Sequence, residues 1–316
     1  MSLSVANPSV SKPSEPKPEA AIEALRWAAD VGEKSRAECP APKLELEAKD
    51  IEALPLATFR EQMDRLLLGR YPDQGLDALL EAGILEVWLP EISVMVGFGD
   101  GEWNHKDVWK HTKQVVWQSV RRLEIRWGAL LHDIGKIKTR SIDEKGAVHF
   151  FAHSEVGAAM FRKRLAKRLG FHGAQYKRIH FLILHHLRAS QYDGSWTDSA
   201  VRRFTKQMGE GLDDLLNLSR ADITTKRPEK KKRGLRQISE LAKRIEKLRI
   251  EDAKSAPLPK GLGTAMMETF SLPASKRLGD IKQAMEAAVE QGQLEAHQSI
   301  EFYMDWLKAH RDQFDL

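Results

Sequence analysis

A histidine and an aspartate stand side by side, His132-Asp133, after the apolar pair Leu130-Leu131 and just ahead of Ile134-Gly135-Lys136. Burying polar groups without partners is costly, so this pair needs a reason to sit at the end of an apolar run. An imidazole nitrogen and a carboxylate oxygen together suit a borderline or hard divalent cation. Further donors surround the pair in the chain. Nine of the eleven histidines lie between His105 and His186. His111 comes upstream, His153 follows in Phe150-Phe151-Ala152-His153-Ser154-Glu155, and His185-His186 end an apolar run. Asp222 interrupts the apolar stretch Leu215, Leu216, Leu218, Ala221. The order is H, HD, H, HH, D, with gaps of roughly twenty to thirty-five residues, about one helix and one loop each.

The elements that must carry these residues read as helices. Val108, His111 and Val115 share a face at i, i+3 and i+7, so His111 points along an apolar stripe. A helix through Trp127, Leu130 and Leu131 should loosen before Gly135, letting His132 and Asp133 share a cation although neighbouring helical side chains diverge by about 100°. Residues 140–147 read as a loop, and a helix should begin near Ser154. The expected fold is all-α, with only short extended pieces near Ala147 to Phe151.

The ordered set resembles the HD-domain superfamily of metal-dependent phosphohydrolases. The stretches NHKDVWKHT, LLHDIGK, HFFAHSEVGA and RADI, together with Leu89-Pro90-Glu91, narrow it. Over roughly residues 50 to 310 the chain is similar to the HD-containing body of the bacterial tRNA nucleotidyltransferase and poly(A) polymerase family. The resemblance implies that His111, His132, Asp133 and Asp222 hold one divalent ion. His153 and His186 would add a second, with Asp133 bridging. One or two ions are expected, among manganese, iron, cobalt, nickel, zinc and magnesium. His132, Asp133 and Lys136 are the expected catalytic residues, although Lys136 would also be favourable simply as a cation at a helix C-terminus. His186 takes the family position because Leu187 follows it, which leaves His185 as a neighbour. His105, His149, His185 and Arg140 are candidates for supporting a ligand or touching substrate. The implied reaction is hydrolysis of a phosphomonoester or a 2′,3′-cyclic phosphodiester on nucleotides or RNA ends.

The family's polymerases carry a nucleotidyltransferase head with a Gly-Gly turn and two aspartates spaced one apart. The forty-odd residues before the neck contain neither, so nucleotide addition is not expected of this chain. Residues 1–43 hold six of the thirteen prolines and read as a tail with at most a short helix over Glu19 to Asp30. Residues 44–98 read as a helical neck, 99–237 as the HD domain and 238–316 as a helical C-terminal region. PLPKGLGTAMMETF and RLGDIKQAMEAAVEQG resemble the family's RNA-contacting tail.

The formal charge is +5, which fits a phosphate-rich partner such as a nucleotide or tRNA-like RNA. Thr224 to Arg236 carries seven basic residues against one acid. A competing expectation follows: a non-catalytic RNA-binding body, or a partner subunit of a separate nucleotidyltransferase. The one cysteine, Cys39, excludes an internal disulfide. No apolar run approaches the roughly 18 residues of a membrane span, and the N-terminus lacks a signal-peptide pattern. A reducing cytoplasm is the expected location.

Overall fold

The computed structural model describes residues 15–98, 107–255, 257–314 and 316. Their regular secondary structure is helical apart from one small hairpin, as the periodicity predicts. The main helices are α1 (Pro18–Lys34), α2 (Leu56–Leu68), α3 (Pro72–Glu81), α4 (Val108–Gln118), α5 (Leu123–Leu131), α6 (His153–Met160), α7 (Gly173–His185), α8 (Leu212–Ala221) and α9 (Pro228–Ser255). They are followed by α10 (Leu262–Phe270), α11 (Lys276–Glu290) and α12 (Ile300–Ala309). The contacts divide the chain into two compact units, Met1–Ala242 and Lys243–Leu316. The neck-like and HD stretches therefore fall in one unit. In the second unit, Leu262, Met266, Leu278, Ile281, Met285, Tyr303 and Leu307 make a separate apolar core.

The centre of the first unit is α5. Its residues from Ile125 to Leu131 are all buried, and all of them but Arg126 are apolar, as an enclosed helix requires. It packs against α2, α4, α7 and α8. Each buried Ile, Leu or Trp adds roughly 1.5–3 kcal/mol of transfer free energy. That burial holds the C-terminal end of α5, and so His132, in place. Arg126 is buried on the same helix and has carbonyl acceptors: Leu67 and Gly69 at the end of α2, and Ser119 at the end of α4. Two helix C-termini thus converge on one guanidinium, a favourable use of their dipoles.

Two sequence expectations are corrected. The stretch 1–43, expected as a tail, contains α1, a 17-residue helix longer than the short one allowed for. Ala21, Ala24, Leu25, Ala28 and Ala29 are buried against α2 and α3. The reason is local: prolines crowd both sides of an alanine-rich segment, which has high helix propensity and one clean apolar face. Trp27 Nε1 further donates to the Cys39 carbonyl at 3.0 Å. The second correction is the expected loop at 140–147. Arg140–Ile142 is strand β1, paired antiparallel with β2 (Val148–Phe150). Asp143 Oδ1 accepts from the amides of Lys145 and Ala147, both at 2.9 Å, and Gly146 takes φ +77° to close the turn.

Candidate metal centre

Most of the predicted ligands lie at helix ends. His132 caps the C-terminus of α5, His186 that of α7 and Asp222 that of α8. His153 is the first residue of α6, and only His111 lies within a helix, α4. The last carbonyls of a helix have no intrahelical partner. His132 Nδ1 donates to the Ala129 carbonyl at 2.7 Å, and His186 Nδ1 to that of Ile183 at 2.8 Å. The same i−3 bond holds His153 to Phe150 at 2.8 Å. His111 Nδ1 bonds the Thr224 hydroxyl at 2.8 Å. A neutral imidazole that gives its Nδ1 proton to a carbonyl keeps its lone pair on Nε2.

All four Nε2 atoms converge. His111 and His132 bring theirs to 3.3 Å, and His153 and His186 to 3.1 Å. Two neutral imidazoles cannot bond through facing lone pairs, so a proton or a metal cation belongs between them. Asp133 divides its oxygens between the halves. Oδ2 lies 3.4 Å from His111 Nε2 and 3.2 Å from His132 Nε2. Oδ1 lies 3.4 Å from His153 Nε2 and 3.9 Å from His186 Nε2. Asp222 Oδ1 completes the first half, 3.0 Å from His111 Nε2. The result is two donor triads, His111–His132–Asp222 and Asp133–His153–His186, each with its donor atoms within 4.8 Å of one another. Imidazole and carboxylate in this mixture fit one or two divalent ions.

The electrostatics agree with that donor set. Burial works against ionising Asp133, yet His132, Lys136 and His111 hold its carboxyl well below the usual range. Burial likewise opposes Asp222, and hydrogen bonds from His111 and His132 outweigh it, holding its carboxyl low. Burial opposes protonation of His132, but the Asp133 charge and its hydrogen bonds raise the imidazole to about 10. Burial and the nearby His132 charge push His186 down to about 4. Without metal, a proton on His132 takes the cation's place.

These shifts set a pH dependence for metal-free protein. His132 is raised from 6.5 to about 10, so its contribution is complete below pH 6.5 and is lost as pH climbs towards 10. His186 is lowered from 6.5 to about 4, so its contribution is complete above pH 6.5 and is lost as pH falls towards 4. Thermal unfolding of chelator-treated protein should therefore show a maximum melting temperature near neutrality. Saturating metal should flatten the alkaline limb, because the ion replaces the proton. A metal-free melting temperature that is level from pH 7 to 10 would contradict the assignment.

Lys136 Nζ stands 2.7 Å from Asp133 Oδ2 and 5.6 Å from the centre of the Phe150 ring. Arg140 is exposed on β1 and lies opposite Phe150. Opposed residues share a face, which places Arg140 on the Phe150 side of the hairpin. His149 is turned away from the cluster: it bonds Asp143 at 2.9 Å and stacks on Phe151. His185 packs its ring 4.8 Å from Phe181, beside the centre but outside both triads. His105 lies outside the described residues. Sequence reasoning missed Thr224, the partner of His111, because nothing but its position two residues after Asp222 marks it. It also missed Gly135, whose role appears only in packing.

Residues 106–245 match the HD domain family model. The chain is 31% identical to the A-adding tRNA nucleotidyltransferase of Deinococcus radiodurans over 258 residues, 78% of this chain and 58% of that protein. It is 35% identical to the CC-adding tRNA nucleotidyltransferase of Thermus thermophilus over 178 residues, 54% of this chain and 40% of that one. A multifunctional CCA protein of Pseudomonas fluorescens is 32% identical over 95 residues, 28% of this chain and 23% of that protein. The chain thus spans about half the length of the first two relatives. Among the described residues, no helix is long and apolar enough to cross a membrane.

Proposed function

Because the chain belongs to the HD-domain family, in the branch related to tRNA nucleotidyltransferases, we propose that it is a metal-dependent phosphohydrolase. The observation that carries this reading is the convergence of four Nε2 lone pairs on two ionised carboxylates. His111, His132, Asp133 and Asp222 would hold one ion, and His153 and His186 a second, with Asp133 serving both. Bound divalent metal supplies Lewis acidity for a phosphoryl oxygen and for an attacking water. The protein's own residues do the rest. The i−3 carbonyl bonds fix the His132, His153 and His186 rings, so no reorientation is needed at the reacting geometry. Lys136 keeps an ammonium beside Asp133, where it can meet a phosphate oxygen and stabilise charge gathering there. Arg140, on the neighbouring hairpin, would touch a larger substrate.

The substrate class is a phosphomonoester or a 2′,3′-cyclic phosphodiester on a nucleotide or RNA end. Assays of the purified chain on a generic phosphodiester and on 2′,3′-cyclic nucleotides, with manganese, iron, cobalt, nickel, zinc and magnesium, test it. Turnover with at least one metal, abolished by chelator and restored by that metal, is the expected result. No turnover with any metal between pH 6 and 9 would sink the enzyme reading.

One set of observations favours an RNA-directed role beside or instead of hydrolysis. The relatives are tRNA enzymes by name, and Arg162, Lys163, Arg164 and Lys167 are exposed along one helical stretch after α6. RNA binding that weakens steeply with salt and survives loss of His132 and Asp133 would support a binding body, or a partner of a separate nucleotidyltransferase.

A further inference from the structure

A second concave site lies apart from the metal centre. Arg70, Tyr71, Trp117, Ser119, Val120, Arg121 and Arg126 line a cavity of about 450 Å³. Three guanidiniums contribute to the wall and no carboxylate does. Arg126 is 3% exposed. Its Nε and one Nη2 hydrogen reach the Ser119 carbonyl, while Nη1 serves Leu67 and Gly69. A guanidinium has five N–H groups, so one Nη2 hydrogen is left without an acceptor among the described residues. Burial and the like charge of Arg121 depress the Arg126 pKa to about 10, against the opposing charge of Asp73. The lining is aromatic as well as basic. Trp117 is 52% exposed, and Arg70 lies over the Tyr71 ring at 5.4 Å. The half-exposed indole offers a planar face beside the guanidiniums that line the cavity.

We propose that this cavity binds a nucleotide unit, its phosphate on Arg70, Arg121 and Arg126 and its base stacked on Trp117. The argument rests on complementarity. A bare inorganic anion would leave Trp117 uncovered. An uncharged aromatic would add no counter-charge to a wall that carries three guanidiniums. A planar base joined to a phosphate satisfies both, since guanidinium forks suit phosphate oxygens and base–aromatic stacking tolerates any base. The same unit can come from a free mononucleotide or from an unpaired residue of RNA. The site does not depend on the hydrolase reading, because none of its residues belongs to either donor triad.

Binding of AMP, adenosine, inorganic phosphate and a short single-stranded oligoribonucleotide to the full chain should be measured by calorimetry and by quenching of tryptophan fluorescence, with chelator present so that no metal ion draws the phosphate to the His–Asp centre. AMP or the oligoribonucleotide should bind at least about tenfold more tightly than adenosine or phosphate. Arg121→Gln should weaken that binding about tenfold. Trp117→Ala should weaken it by a similar factor while leaving phosphate binding unchanged. Both residues are exposed, so the fold should tolerate the changes. Asp133→Ala should leave the affinity unaltered. Tight AMP binding identifies a free nucleotide as the ligand. Binding of the oligoribonucleotide alone, with the same sensitivity to Arg121 and Trp117, identifies RNA. The proposal is overturned if neither ligand binds, or if binding ignores Arg121 and Trp117 but is lost in Asp133→Ala, which would place the nucleotide at the metal centre.

Discussion

Asp133→Ala should strip the protein of metal, from about two ions per chain towards one or none, the stoichiometry of a bridged pair losing its bridge. Asp133 Oδ2 serves His111 and His132 while Oδ1 serves His153 and His186, so one carboxylate belongs to both halves. Its removal leaves four neutral imidazoles and Asp222 to neutralise two dications. The cations would then repel each other with less negative charge between them. Hydrolysis should fall at least about a hundredfold, beyond the 10–100-fold typical of residues that merely support ligands. The helical fold should persist, because Leu130, Leu131 and Ile134 remain buried around the vacated position. Some loss of thermal stability should accompany the lost ions. His149→Ala and His172→Ala serve as controls with unchanged metal content. His149 is paired with Asp143 on the hairpin, and His172 precedes α7 outside both triads. Elemental analysis beside wild type decides: full occupancy in Asp133→Ala would mean the centre has been misplaced.

Gly135→Ala should be nearly as damaging, although Gly135 ligates nothing. A Cβ there would lie 2.0 Å from the His153 carbonyl oxygen, 2.7 Å from the Gly157 nitrogen and 2.9 Å from the His153 carbonyl carbon. These are backbone atoms, and no rotamer change can relieve the overlap. The Gly135 backbone itself, at φ −69° and ψ −21°, would accept alanine without strain. The effect is therefore one of close approach, the turn after Asp133 pressing directly on the start of α6. Adding a methyl must drive those segments apart, at a cost of about 3 kcal/mol or more. The melting temperature should drop by roughly 10 °C. The movement also draws His153 away from Asp133, so the Asp133–His153–His186 half should lose its ion first. Gly146→Ala offers a contrast. Gly146 has φ +77° and open space around it, so only backbone strain of about 1 kcal/mol is expected. A Gly135→Ala protein with wild-type melting temperature and metal content would refute this account of the site's assembly.

The amino-acid order alone was enough to select the histidines and aspartates that the structure brings together. Histidine and aspartate are expensive to bury unpaired, so their recurrence at the ends of apolar runs marks them out. The 3.6-residue periodicity likewise identified the helices that carry them, because one apolar face is the minimum a packed helix needs. Where composition was averaged over a window, the reading failed. Prolines at both ends of 1–43 hid the alanine-rich face of α1, and the turn chemistry of Asp143 and Gly146 was taken for an open loop. Tertiary structure alone decided the rest. Asp133 and Asp222, far apart in the chain, meet at His111 because α4, α5 and α8 cross there, and crossing geometry is set by packed side chains. The same packing assigned each Asp133 oxygen to its half, matched Thr224 to His111 and required glycine at 135. Chain spacing determines which helix bears a ligand, but only the packing of that helix against its neighbours determines where the ligand's lone pair arrives.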